Sequence, residues 1–224
     1  MKNTAAVVFV ALSVSGCTGN LDNPWELDHD RIIAVRATPP HVTAGQKSQV
    51  DVLVGRKGSP VAEQAPDQVS VLSPQSLAFA IAGATVTAPS EAQLAAARSE
   101  LALEPGALVP LVLGVAAGGF AATKTVWLGD TRDNPALADL SIGGASPGVS
   151  LVVPRDQDVP LFVTADDSVD TVNWLTSCGT MHDFDLHAAY LRVEPDDSQQ
   201  GQLAVVLRDA SGGVSWQVWP IRAE

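Results

Sequence analysis

The stretch WLTSCGTMHDFDLH, residues 174–187, holds the side chains best suited to chemistry in this chain. It contains Cys178, Met181, His182, His187 and the carboxylates Asp183 and Asp185. A thiolate with two imidazoles is a ligand set that zinc or copper takes, and a weak axial methionine suits copper. A thiol beside an imidazole is also the pair that nucleophilic catalysis uses, provided an electropositive setting lowers the thiol pKa. Asp183 and Asp185 act against that requirement: they stabilise an imidazolium but raise the thiol. No oxyanion-donor motif accompanies the pair, so catalysis is not expected. A plainer reading stands beside the metal one. Ser177, Cys178, Gly179 and Thr180 form a small-residue turn whose cysteine packs as a weak hydrophobe, and the histidines and aspartates are solvated or capping groups.

Other candidates are more diffuse. Acidic loops recur at 154–158, 165–170, 182–185 and 195–198, and calcium takes six to eight oxygens from such clusters. No EF-hand or repeated calcium signature joins them. RDASGG at 208–213 lacks the Lys, the Ser/Thr and the helix of a phosphate loop. It reads as a hairpin turn in which Gly212 and Gly213 both supply positive φ. Trp127 and Trp219 are candidate binding residues if they line an exposed groove, as in a carbohydrate-binding accessory module. The copper reading meets an obstacle in ligand order. Cupredoxins, which are also β-sandwiches, place methionine after the histidine of their last loop, whereas Met181 precedes His182. The loop follows a middle strand, and the remaining histidines, His29 and His41, lie in the other half of the chain.

The elements that position these residues are mostly strands. Ile33 and Val35 alternate with small or polar neighbours, Pro39-Pro40 interrupts, Gly45 turns the chain, and Val50, Val52 and Val54 recur at period two. This arrangement, RIIAVRATPPHVTAGQKSQVDVLVG, resembles the opening of bacterial immunoglobulin-like domains. Residues 55–76 read as loop, with five Gly and Pro, and LAFAIAGATVTAP as a strand. Ser90 with Gln93 forms a capping box, and the alanine-rich run after it predicts a helix over about 90–102, ended by Pro105-Gly106. ALVPLVLGVAAGG and FAATKTVWLG read as a closing hairpin. DTRDNPAL is a polar connector. Six strand-like segments follow, from LADLSIGG to VSWQVWPI, at the spacing of a sandwich. Trp216 and Trp219, three apart on the last strand, face opposite sides, one toward the core and the other exposed or against the first domain. VNWLTSCGT followed by VEPDDSQQGQLAVVLRDASGGVSW is similar to the bacterial Ig-like and PKD-like pattern, over about residues 138–222. That resemblance implies a core role for Trp174 and says nothing of activity. The expected fold is mainly β: two Ig-like β-sandwich domains at 29–130 and 138–224, joined by a linker at 131–137, with one α-helix inserted in the first.

The N-terminus supplies an address. Lys2 precedes an apolar run from Ala5 to Val14, too short to cross a bilayer. Val14-Ser15-Gly16-Cys17 resembles the lipobox of bacterial lipoproteins, which implies a signal peptide at 1–16. It also implies a diacylglycerol and an N-acyl chain on Cys17, as the one covalent cofactor-like group, and a lipidated tether at 17–28 with Trp25 as the first anchoring residue. Thr18 stands where an aspartate retains such proteins at the inner membrane, so the resemblance implies the outer membrane, facing periplasm or cell surface. The net charge of -12, from 13 Lys+Arg against 25 Asp+Glu, disfavours nucleic acid as a partner. With Cys17 acylated, Cys178 has no partner for a disulfide. The reading is of a membrane-anchored, non-enzymatic structural or interaction module with an envelope protein as partner. The alternatives are a metal- or redox-linked protein using Cys178, His182 and His187, and a carbohydrate-binding module.

Overall fold

The computed structural model describes residues 23–164 and 170–224. The signal-like segment 1–16, Cys17, and 165–169 of the acidic stretch 165–170 lie outside the described residues. In the first half the strands are β1 (Arg31–Thr38), β2 (His41–Val42), β3 (Lys47–Arg56), β4 (Ser59–Gln64), β5 (Gln68–Ser73), β6 (Ile81–Ala82), β7 (Thr85–Thr87), β8 (Val109–Ala117) and β9 (Phe120–Leu128). A 3-10 turn (Gln75–Ala80) precedes β6, and helix α1 (Glu91–Glu100) precedes β8. The second half contains β10 (Ala138–Ile142), β11 (Leu151–Val153), β12 (Val159–Thr164), β13 (Thr171–Thr176), β14 (Thr180–His182), β15 (Ala188–Arg192), β16 (Gln200–Arg208) and β17 (Val214–Ala223).

These strands form two Ig-like β-sandwiches. In the first, the sheet β1-β3-β7-β6, with β4 also on β3, faces the sheet β2-β9-β8-β5. Val50, Val52 and Val54 of β3 meet Leu111, Leu113 and Val115 of β8 in one core. In the second, β10-β12-β15-β14 faces β11-β17-β16-β13, and Val159, Leu161 and Val163 pack with Trp174, Leu203, Val205 and Trp219. Both halves use the same device at their start. The chain leaves one sheet after β1 and joins the opposite one as β2, parallel to β9; β11 likewise pairs parallel to β17 after β10 has paired with β12. Pro39-Pro40 sits at the first crossing, where a missing N–H interrupts no ladder. Pro110 is tolerated inside β8 for a related reason: β5 pairs with β8 only from Val112 to Ala116, so Pro110 lies beyond that ladder.

Helix α1 forms as its capping box predicts, with Gln93 Oε1 accepting the Ser90 N–H at 2.9 Å. Leu94 and Ala97 are fully buried and close one side of the first core. Arg98 beside them is also buried, donating from Nε to the Ala107 carbonyl at 2.7 Å.

Several local expectations need correction. Residues 55–76 carry strands β4 and β5 rather than loop alone. Both lie at sheet edges, the places where proline and polar residues are tolerated. LAFAIAGATVTAP is not one strand. Leu77 and Ala80, three apart, are both buried in the 3-10 turn, and Gly83 at φ 62° reverses the chain between β6 and β7. The short strands β11 and β14 were not expected. In the 209–213 turn only Gly212 has positive φ, at 85°. Gly213 is required for closeness instead, since a Cβ there would meet Asp209 Oδ2 and, at 2.7 Å, Pro135 Cδ.

Candidate functional site

The Cys–His stretch is divided between the core and the surface. Trp174 is fully buried, and its Nε1 donates to the Leu186 carbonyl at 3.1 Å. Thr176 Oγ1 donates to the Cys178 carbonyl at 2.8 Å and accepts the Cys178 N–H at 3.0 Å, locking the turn. Gly179 has φ 84° and no room for a Cβ against the Arg192 carbonyl. Gly201 is the floor on which this turn rests, its would-be Cβ 2.9 Å from Cys178 Cβ. Cys178 is buried, and its Sγ donates to the Ser198 carbonyl at 2.9 Å. Burial, with Asp197 adding to it, pushes the thiol up to about 11. Asp197 thus holds the role that Asp183 and Asp185 were expected to play.

Strand β14 then separates the supposed ligands. Met181 points into the core while His182, its neighbour on a strand, points outward and is exposed. His187 lies beyond the turn that follows β14. Cys178 faces the core and His182 the solvent, so the candidate trio Cys178, His182 and His187 does not converge. Among the described residues no three metal-ligating side chains come together. In two of the acidic loops the carboxylates are engaged: Asp158 pairs with Arg192 at 3.3 Å, and Asp197 Oδ2 accepts the Glu194 N–H at 2.9 Å.

The two tryptophan candidates are not brought together either. Trp219 is 1 % exposed in the second core, so it lines no groove. Trp127 is half-buried, with His41 6.1 Å away between ring centroids, and the turn at Gly212 lies over its Nε1. Trp25 meets the Phe184 ring at 5.8 Å.

The two sandwiches meet at a built junction, on the face to which the sequence could assign only one of Trp216 and Trp219, as exposed or lying against the first domain. Leu27, Ala34 and Leu53 pack with Leu175, Ala204, Val206, Val214 and Trp216 in a third buried cluster. The outer face of the β16–β17 region is therefore covered by the outer face of β1 and β3. Arg36 Cζ lies 4.0 Å above the Trp216 ring, a cation–π contact, and Trp216 Nε1 donates to Glu63 at 2.8 Å. Polar groups cross on every side. Arg208 donates to the Ile33 carbonyl at 3.0 Å, and the Val61 N–H donates to Gln202 Oε1 at 2.6 Å. Buried His41 has Asp130 Oδ1 2.6 Å from Nδ1 and the Ser211 carbonyl 2.9 Å from Nε2, an acceptor at each nitrogen. Lys124, 7 % exposed, donates from Nζ to the Gly212 carbonyl. Its pKa is lowered to about 8 by burial, opposed by Asp209 and assisted by Arg208. The connector at 131–137 is bound to both sides: Asn134 donates to the Ala37 carbonyl at 2.9 Å and accepts the Val214 N–H at 2.8 Å.

No protein-family model matches the chain, and no curated protein sequence matches it. Solved structures resemble it as folds. The fibronectin(III)-like modules of Clostridium thermocellum CbhA are 13% identical, over 85% of this chain and 94% of that one, with a TM-score of 0.31. The N-terminal Ig1-2 module of the Drosophila receptor protein tyrosine phosphatase DLAR is 12% identical, over 87% and 98%, with a TM-score of 0.32. A chimeric titin Z1Z2 tandem is 12% identical, over 87% and 98%, with a TM-score of 0.33. At such scores the sheet topology above carries the fold assignment by itself.

One signal for the junction was present in the sequence. Leu203 to Leu207 is an unbroken apolar run, and all five residues are buried. A strand buried on both faces reads this way, whereas a strand with one wet face alternates.

Proposed function

We propose that this chain is a non-enzymatic, lipid-anchored module of the bacterial outer membrane, in which two Ig-like sandwiches act as one rigid body to hold or space an envelope protein partner. The observation that carries the reading is the junction. Trp216, Arg36, Glu63, Lys124 and His41 are all engaged across it, so a load on one sandwich passes to the other. The side chains best suited to chemistry support the same reading: Cys178 is a wedge in a turn, and its raised pKa opposes nucleophilic use. Anchoring rests on Val14-Ser15-Gly16-Cys17. Acyl chains bury at about 0.8 kcal/mol per methylene, so two or three of them anchor durably.

The test is acyl labelling with fractionation and crosslinking in the native host. Wild type should incorporate radiolabelled palmitate, sediment with outer membrane and crosslink reproducibly to an envelope protein. Cys17→Ala should lose the label and the membrane fraction. Wild type without label refutes the anchor, and labelled protein without a reproducible partner refutes the interaction role.

A further inference from the structure

The described chain starts against the second sandwich, not the first. Glu26 forms a parallel bridge to Thr176 of β13. The Thr176 N–H donates to the Trp25 carbonyl and the Leu27 N–H to the Thr176 carbonyl, both at 2.9 Å. Alongside, the Trp174 N–H donates to the Phe184 carbonyl at 2.7 Å. The otherwise open edge of β13 is thus covered by residues 25–27 and by the β14–β15 turn. Cys17 precedes Asn23 by six residues, which span at most about 20 Å fully extended. An acyl group on Cys17 therefore keeps this corner of the second sandwich close to the bilayer.

The same corner carries exposed apolar side chains. Leu186, in the β14–β15 turn, is 53% exposed. Strand alternation turns Phe162 of β12 and Tyr190 of β15 outward, at 42% and 44% exposure. Tyr190 stands between Pro160 and His182 in the ladder, and Phe162 stands opposite Ala188. Aromatic rings with a polar tip suit the headgroup layer, where one end is apolar and the other wet. The charges nearby are Arg192, paired with Asp158 and Glu194, and the carboxylates Asp183, Asp185 and Asp139, the last accepting from Thr164 Oγ1 of β12. With a net charge of -12, the surface matches zwitterionic rather than anionic lipid.

Building on the acylation of Cys17 proposed above, we propose that the outward face of β12, β15 and β14 lies on a zwitterionic bilayer surface, with Leu186, Phe162 and Tyr190 at the contact. The first sandwich, which covers the outer face of the opposite sheet at β16 and β17, is then held on the side of the second sandwich that faces away from the membrane. The experiment places a nitroxide on Leu186→Cys, or separately on Phe79→Cys, an exposed residue of the first sandwich (58%). The acylated proteins are reconstituted in phosphatidylcholine vesicles and compared with their unacylated Cys17→Ala counterparts in solution. Collision with a water-soluble nickel chelate should fall several-fold at 186 on reconstitution, while collision with oxygen rises; position 79 should not change. Mass spectrometry of the N-terminal peptide reports the acyl group independently. Without an acyl group both the anchor and the orientation fail. An acylated protein whose position 186 stays open to nickel overturns the orientation alone. Protection only in native membranes, and not in protein-free vesicles, makes the occupant a protein and also overturns it.

Discussion

Replacing Lys124 by methionine should change how stability depends on pH, in a direction opposite to that of a salt-bridged lysine. Lys124 is buried at the junction with its pKa lowered to about 8, against an ordinary 10.5. The unfolded chain therefore holds this proton over a range where the folded one has released it. Stability rises with pH wherever the unfolded state binds more protons. The contribution is fully present above about pH 10.5 and is lost as pH falls through about 8. The whole span corresponds to about 3 kcal/mol at 1.36 kcal/mol per pH unit. Between about pH 7 and pH 9 the linkage relation gives a little over 1 kcal/mol. Cys178 acts in the other sense. Its thiol is raised from 9.0 to about 11, so its contribution is present below about 9 and is lost as pH rises through about 11. Wild type alone would show the two effects superposed, but the difference between wild type and Lys124→Met removes the Cys178 part. Urea unfolding followed by tryptophan fluorescence at pH 7, 8 and 9 gives that difference. It should shift toward wild type by about 1 kcal/mol across the range. A flat difference would mean that the ammonium is solvated, hence that Gly212 does not cover it and the sandwiches are apart in solution.

Trp216→Ala removes the ring that Arg36 covers and Glu63 caps. It should lower the unfolding free energy by about 3–5 kcal/mol, the usual range for a buried aromatic, and raise the radius of gyration in solution X-ray scattering as the sandwiches separate. Trp174→Phe should destabilise more than Trp219→Phe by about 1 kcal/mol, because Trp174 Nε1 donates to the Leu186 carbonyl whereas Trp219 Nε1 has no hydrogen-bond partner among the described residues; paired denaturation curves measure this. Cys178 should react with a thiol-specific disulfide reagent far more slowly in native protein at neutral pH than in urea. Equal rates would place the thiol at the surface.

Much of the fold was legible because its signals are local. Val50, Val52 and Val54 alternate, Ser90 and Gln93 are three apart, and Gly118-Gly119 separates two apolar runs; each expresses its structure within a few residues. Trp216 and Trp219 were legible as facing opposite sides, and the structure sends one to the core and the other to the first sandwich. Composition alone makes Cys178, His182 and His187 look like a ligand set beside the plainer turn reading, and strand parity is what separates them. The residues TMH are a strand, so adjacent side chains leave on opposite faces, and proximity in sequence becomes separation in space. Edge strands β4 and β5 were hidden by Pro60, Pro66 and Pro74, residues that signal loop unless the edge position is known. The junction was the hardest to see. Glu63 to Trp216 and His41 to Ser211 join positions far apart in sequence, and the apolar run Leu203–Leu207, with the opposite facing of Trp216 and Trp219, was all that hinted that an outer face is covered.

The parallel pairing of residues 25–27 with Thr176 also sets an order of events in folding. These residues are made some 150 residues before their partner strand. The first sandwich has the local hairpins to form early, yet Leu27, Ala34 and Leu53 must then wait with an apolar face exposed until β13, β16 and β17 arrive. Slow emergence of the chain would prolong that interval, the period in which such a surface is prone to aggregate. The same closure forbids cutting the molecule at its connector: a fragment ending near Asp130 would keep Leu27 without Thr176, and its complement would display Trp216 to water. Expression of either half alone should therefore yield aggregated material, and co-expression of the two should restore solubility.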